Sequence, residues 1–530
     1  MRGVDASAPK VAQEKAGLLR DGEVLAVSQK GQLENPDAVV SFNNIASEKL
    51  LADAATVNYG SKPGQTDRVI RAFWEQPLHT SKWQYLESTP TGESLFTGKH
   101  KVCLSFDEIE RQKIEEFGLR SADVFGKPGV LISQMKDLPA TPYLGYLFDN
   151  NTSAIVPRNS RDSGAVFAFL ASGEYAAAVR SVNQKMDVAA NMMVKVPFDL
   201  DHWKQVAAER YPNGLPKPYS DDPTQWLFHG HPQFATDPLQ VAVARLLGYR
   251  WPAETDARMK LSDEARVLVT KSATLTDLAD KDGIVCIPPV GREAAASDRL
   301  LNLLANAYGA DWSNDVLAKL LTAADHAGKS LEAWLREKFF TQHSALFGNR
   351  PFVWHIWDGL RDGFAALVNY HKLDYKALEA LIYTYLGDWI SRQKRDAESG
   401  VDGAQEKLAA AEALKKRLEL ILAGEAPCDI FVRWKPIDEQ PIGWNPDLND
   451  GVRMNIRPFL SVPDVGKKGA GVLRDKPKSL HWEKDRGSDS PSAPWYELGL
   501  KYGGKVGDRI NDHHLTLDEK RAARAKLGKA

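Results

Sequence analysis

The 530-residue sequence predicts an α+β fold: a mixed domain, then a largely helical region with a long antiparallel helix pair, then an irregular tail. Three observations carry this. Short β-type runs, Val130-Leu-Ile132 and Ala154-Ile-Val156, are bounded by Gly, Pro, Asn or Asp. Helical spacing dominates later, most clearly in Tyr375 to Arg395 and Ala404 to Leu422, which are interrupted by Gly400 and Gly403. From residue 425 onward Pro, Gly, Asp and Trp displace any periodicity.

Taken in order, residues 1–40 are polar and small, a loosely held lead-in. Leu50, Leu51, Ala54 and Ala55 recur at helical spacing, which predicts a short helix from Ala46 to Asn58 that ends at the turn residues Tyr59-Gly-Ser-Lys-Pro-Gly64. Residues 95–200 mix β-type runs with helices at Gly164 to Leu170 and Glu174 to Val182, separated by Ser172-Gly173. A helix is predicted from Pro238 to Leu247, another from Ala294 to Tyr308, and one or two more between Asn314 and Phe340. Ser330 reads as a helix entry, although Glu332 is one place short of the capping-box spacing. The helix pair joined by a Gly-containing turn forms a hairpin whose plain role is packing or spacing.

Length and composition set outer bounds. A chain this long forms about two to four folded units. Hydrophobic residues make up 43% and charged residues 26%, ordinary for a globular protein. The net charge of -2 requires any phosphate-binding surface to be a local cationic patch. Cys103, Cys286 and Cys428 are distant and odd in number, which suits a reducing cytoplasm and argues against a disulfide framework or a Cys-x-x-Cys zinc site. Met1 to Leu25 scatters its charges and lacks the apolar segment of a signal peptide. No run of about 18 apolar residues is present, so no membrane span is expected.

Several chemistries lack their motif. Methylation of an adenine amine needs a Gly-rich cofactor turn and an Asn- or Asp-Pro-Pro-aromatic turn around a flipped base. Asn445-Pro446-Asp447-Leu448 lacks the second Pro and the ring; Ile287-Pro288-Pro289-Val290 lacks the polar lead and the ring. No phosphate-binding Gly-x-x-x-x-Gly-Lys-Ser/Thr, no Glu-x-Lys nuclease triplet and no Gly-x-Ser-x-Gly occur. His229-Gly-His231 lies among Trp226, Phe228 and Pro232 and reads as a structured loop before it reads as a metal site; His513-His514 reads as solvated tail.

One stretch carries a broader resemblance. It runs Lys127-Pro-Gly-Val-Leu-Ile-Ser-Gln-Met135, Tyr143-Leu-Gly-Tyr146, Ser153-Ala-Ile-Val-Pro157, Phe167-Ala-Phe-Leu-Ala-Ser172 and Lys195-Val-Pro-Phe-Asp-Leu200 with His202-Trp203. This resembles the target-recognition region of large type IIG-like adenine-specific DNA methyltransferases, and the related enzymes of BREX- and DISARM-type phage defence. Tyr219 to His231, Val243 to Trp251, Arg350 to Trp357, Asn369-Tyr-His371, Asp450 to Phe459 and Trp482 to Gly487 extend it over roughly residues 40–525. The resemblance implies a junction at 1–95, a target-recognition domain at 96–210, a helical domain at 211–375, the helix pair at 376–424 and a basic, aromatic tail segment at 425–530. It also implies that the catalytic part precedes Met1, so S-adenosylmethionine is expected on a partner chain or missing N-terminal domain and not on this chain.

The implied partner is double-stranded DNA, together with a methyltransferase catalytic chain or other defence-system subunits. Arg158, Asn159 and Arg161 are the foremost candidates, because Arg grips guanine or phosphate and Asn grips adenine. Lys127, Ser133, Gln134 and Lys136 offer donors beside Gly126 and Gly129. Arg180, Asn183 and Lys185 sit near a helix end. Lys62, Gln65, Arg68 and Arg71 form a basic cluster for the junction or for phosphate. Trp354, His355, Trp357, Tyr370 and His371 are assigned to packing. Two alternatives stand beside this reading: an assembly subunit that binds defence proteins without touching DNA, and a complete methyltransferase with a disguised site.

Overall fold

The structure is a computed structural model that describes residues 1–6, 9, 11–33, 35, 38, 40, 49–61, 70–76, 83–104, 124–348, 351–423, 522, 525 and 526. It is α+β. The chain divides into two compact units. The first comprises Met1–Phe73, Thr80–Tyr219 and Lys260–Ser262; the second comprises Trp74–His79, Ser220–Met259 and Asp263–Ala530. No helix among the described residues is long and apolar enough to cross a membrane.

The strands of the first unit are β1 (Arg2–Gly3), β2 (Leu25–Ala26), β3 (Ala55–Tyr59), β4 (Ile70–Ala72), β5 (Trp83–Glu87), β6 (Lys101–Leu104), β7 (Gly129–Ser133), β8 (Ala140–Tyr143), β9 (Leu147–Phe148) and β10 (Thr152–Pro157). β1 and β2 form a small antiparallel pair. One four-stranded sheet has the order β3-β10-β7-β8 and is antiparallel throughout. A second has the order β4-β6-β5-β9, with β9 parallel to β5.

The first sheet is buried on both faces, and strand periodicity shows how. Val130, Ile132 and Ile155 enter one core, which is filled by the helix Ser163–Leu170 and the helix Leu200–Arg210. Leu131, Ala154 and Val156 enter the other, against Val124, Tyr143 and Phe148. Successive side chains alternate between faces, so a strand covered on both sides is apolar at every position. This explains the continuous runs at 130–132 and 154–156. Ser163–Leu170 is likewise apolar around most of its surface, and Ala165 through Leu170 are all buried.

β3 forms because Ala55-Thr-Val-Asn-Tyr59 pairs with Pro157 through Ser153 along an edge of this sheet. The predicted helix at 46–58 is therefore corrected: among its described residues only Leu51–Ala54 is helical, and β3 follows at once. The β-branched Thr56 and Val57 favour the pleated ladder once a distant partner supplies it.

In the second unit the helix Pro238–Leu246 begins on a proline at its first turn and is buried from Leu239 through Leu246. The region read as helical also contains a three-stranded antiparallel sheet, β11 (Ile284–Cys286), β12 (Val353–Trp357) and β13 (Ala365–Asn369), in the order β11-β13-β12. The hairpin is present as predicted, with Leu386–Glu398 packed on Ala404–Ala423 and Gly400 and Gly403 both at φ 74°. Its first arm contains a π-helical turn, Leu381–Tyr385. That turn places the Tyr385 hydroxyl 2.7 Å from Asp282 Oδ2.

Candidate nucleic-acid interface

The ten candidate DNA-contacting residues belong to the first unit, but they do not form one surface. β7 runs from Gly129 to Ser133 and pairs antiparallel with β10, Val130 opposite Ile155. The chain around Lys127 therefore lies beside the chain leaving Pro157, at one end of the sheet. Ser133, Gln134 and Lys136 lie at the opposite end. A five-residue strand spans about 13–17 Å, and both faces of the sheet are covered, so the two ends are separate surfaces.

The first end carries Lys127, Arg158, Asn159 and Arg161, all exposed. The Arg158 backbone N–H donates to Ala54 O, and its Nε donates to Ala52 O at 3.2 Å, which tethers an otherwise exposed side chain. Asn159 Oδ1 accepts from the Arg161 N–H at 3.1 Å and caps the short 3-10 turn Ser160–Asp162 that enters the helix Ser163–Leu170. This end is a helix N-terminus, where the backbone dipoles favour an anion. Asp162 is offset there by Lys204 at 3.0 Å.

The second end is organised around Arg180. Its guanidinium donates to the carbonyls of Lys136, Lys185 and Met186, so it ties two loops together and is committed inward. Asn183 Oδ1 accepts from the Lys185 N–H at 3.0 Å. Gln134 is turned into the fold: its Nε2 donates to Thr152 O and Ser153 Oγ at 3.2 and 3.1 Å. Ser133 is buried, and its hydroxyl donates to Met135 O. These bonds leave the exposed Lys136 and Lys185 as outward cations here, beside Asp137 and Asp187. An open depression of about 1040 Å³ lies at this end, lined by Asn183, Gln184, Lys185, Asp187 and Asn191 among others.

Of the junction cluster, Arg71 is buried on β4, with Nη1 donating to Ile70 O, which is unsuited to phosphate contact. Lys62, Gln65 and Arg68 lie outside the described residues, as do Arg350, Asn445 to Leu448, Asp450 to Phe459, Trp482 to Gly487 and His513-His514.

The remaining motifs take structural places. His229 and His231 are buried, and His229 Nδ1 accepts from the His231 N–H at 3.0 Å. Arg245 Nη1 holds Gly230 O at 3.1 Å and Glu254 Oε2 at 2.7 Å. Burial drives His229 down to about 3, so it is neutral at physiological pH. Ile287 extends the sheet through its N–H to Ala365 O, and Ile287, Pro288 and Val290 are buried. That turn takes a packing place in the fold, its backbone tied to the sheet. Trp354 is fully buried and packs on Tyr370 at 4.9 Å; His371 packs against Tyr249 and Phe352.

Two polar groupings had no sequence signal. Lys99 and Glu87 form a fully buried ion pair at 2.5 Å. Asp280, Asp282, Glu293, Arg299 and Tyr385 form a half-buried network, with Arg299 Nη2 2.8 Å from Asp280 Oδ2. Burial, then the Asp280 side chain, raise the Asp282 carboxyl to about 6. Both groupings join residues from separate chain segments, which no local spacing reveals. No family model matches the sequence, and no curated protein matches it.

Proposed function

We propose that this chain binds double-stranded DNA through the end of the first sheet that carries Lys127, Arg158 and Arg161, and that it directs an adenine-N6 methyltransferase to its site. The observation that carries the reading is the juxtaposition of these three exposed cations with the N-terminus of a buried helix. A double-covered sheet holds that end rigid, and phosphate contacts from a rigid frame fix register on a duplex. Asn159 is the residue placed to read a base: its Oδ1 closes the turn, and its Nδ2 donates to an acceptor in a groove. In this reading S-adenosylmethionine and the flipped adenine are held by a partner chain or by a further segment, and this chain contributes position.

The test is binding of a short duplex by the whole chain and by Arg158→Ala/Arg161→Ala, followed by fluorescence anisotropy. Each phosphate contact contributes a factor of about eight at 0.1 M salt through counterion release, so the double variant binds about 60-fold more weakly. Unchanged affinity rejects the assignment. Unchanged affinity with loss of binding to other defence proteins supports the assembly-subunit alternative.

A further inference from the structure

We infer that a cavity over the edge strand β12, in the second unit, is a binding site for a nucleoside monophosphate. The cavity encloses about 260 Å³ and is lined by Arg336, Glu337, His355, Trp357, Arg361 and Ala365, with Gly359 at the turn. This inference does not depend on the DNA reading, which rests on the first unit.

The cavity follows from the sheet register. His355 and Trp357 are two apart on β12 and so share a face. Their rings lie nearly parallel, 18° between planes and 5.7 Å between centroids. Trp357 is paired with Ala365 on β13, whereas His355 is paired with Leu367. The small Ala365 leaves space beside the indole where a larger residue would fill it.

Two polar groups in this wall lack partners. His355 is 1% exposed, yet neither Nδ1 nor Nε2 has a hydrogen-bond partner; Trp357 Nε1 has none either. Buried polar atoms are nearly always paired, and unpaired ones mark a missing water, ion or ligand. A neutral imidazole presents one donor and one acceptor, and an indole one donor. Burial holds His355 far down, at about 3, so the neutral form applies. One imidazole nitrogen and the indole N–H together meet the edge of a planar ligand, and that edge carries an acceptor for the indole beside a donor or acceptor for the imidazole. A nitrogen heterocycle satisfies both demands.

The rim offers one exposed cation, Arg361, to the charged end of such a ligand. Arg361 is 85% exposed and reaches Glu337 at 3.0 Å. Glu337 also takes Lys329 at 3.2 Å, and Arg336 takes Glu332 at 2.9 Å. Arg336 also faces Asp358 and Asp362 and donates to Gly363 O, so its charge is committed within the fold, whereas Arg361 keeps donors free for a phosphate in the fork geometry it favours. The volume lies just under the range of about 300–1,000 Å³ for drug-sized ligands, so it takes the base, with the sugar and phosphate at the open rim beside Arg361.

The test is titration calorimetry of the full chain with AMP, and with adenosine as the uncharged control, against Trp357→Phe and Arg361→Ala. Trp357→Phe keeps the aromatic wall but removes the N–H, and it also removes an unpaired buried donor, so thermal stability is kept or raised. Saturable AMP binding, weakened about tenfold by Trp357→Phe, is the expected result. Arg361→Ala is expected to bring AMP down to the affinity of adenosine. Absence of saturable AMP binding, or binding unaltered in Trp357→Phe with its fold intact, overturns the inference. Equal affinity of the unsubstituted chain for AMP and adenosine overturns the role of the phosphate.

Discussion

Replacing Lys99 with Met is expected to unsettle the first unit more than any surface change. Glu87 stands on β5, and its Oε1 accepts from the Leu144 N–H at 3.0 Å; Lys99 Nζ donates to Pro142 O at 3.1 Å. The pair thereby ties the second sheet to β8 and the segment that follows it. Both side chains are wholly buried. Burial pushes the Glu87 carboxyl up and the Lys99 ammonium down, and each is held against that push by the other. Removing one partner strands a buried carboxyl and costs about 3–5 kcal/mol. At about 2–4 °C per kcal/mol for a unit of this size, the first unit's melting temperature falls by roughly 6–20 °C. Differential scanning calorimetry of the full chain reads this as a shift of one transition. Without Lys99 the carboxyl relaxes by taking up a proton, so the loss shrinks as pH is lowered. Adding Glu87→Gln keeps an acceptor for Leu144 and removes the charge, so the double variant recovers most of the loss. A Lys99→Met transition within about 1 kcal/mol of the parent, or a double variant no better than the single one, refutes the reasoning.

Three further outcomes follow from local geometry. Asp282 has its carboxyl raised to about 6, above the unfolded value near 4, so its contribution is full below about pH 4 and lost as pH rises through 6. Asp282→Asn, neutral throughout, is expected to melt no lower than the parent at pH 7, gaining about 1 kcal/mol after allowance for solvent screening, with no gain at pH 4; thermal melts across that range check it. Gly60 approaches the Asp149 carbonyl so closely that an added Cβ would stand 1.8 Å from the oxygen. Gly60→Ala is therefore expected to cost about 1–3 kcal/mol or more, measured by urea unfolding. Arg180→Ala releases the carbonyls of Lys136, Lys185 and Met186, and hydrogen exchange should accelerate at 134–138 and 183–188 while the strands β7 and β10 stay protected.

The sequence was most informative where one local pattern decides the outcome. The helices read at Gly164 to Leu170 and Glu174 to Val182 are present with Ser172-Gly173 between them, where Ser172 Oγ accepts from the Tyr175 N–H and caps the second. Ser330 caps Leu331–Glu337 without the box partner, because Ser330 Oγ alone meets the Ala333 N–H at 3.2 Å. What escaped was what depends on distant pairing. Thr56 and Val57 join β10 about a hundred residues away, and the three-residue β11 joins the hairpin of β12 and β13 from a distant segment. The same limit applies to the interface. Types and spacing nominated Gln134, Ser133 and Arg180 as donors, but nothing local showed that their hydrogen bonds are already spent inside the fold.

The central claim is that three cations at one sheet end, Lys127, Arg158 and Arg161, grip phosphate. The most direct measurement is the dependence of duplex affinity on salt. Three contacts release counterions with a slope of log K against log salt of about −2.7, and Arg158→Ala/Arg161→Ala lowers its magnitude to about 0.9. A flat salt response, or a slope that the double variant leaves unchanged, contradicts the account.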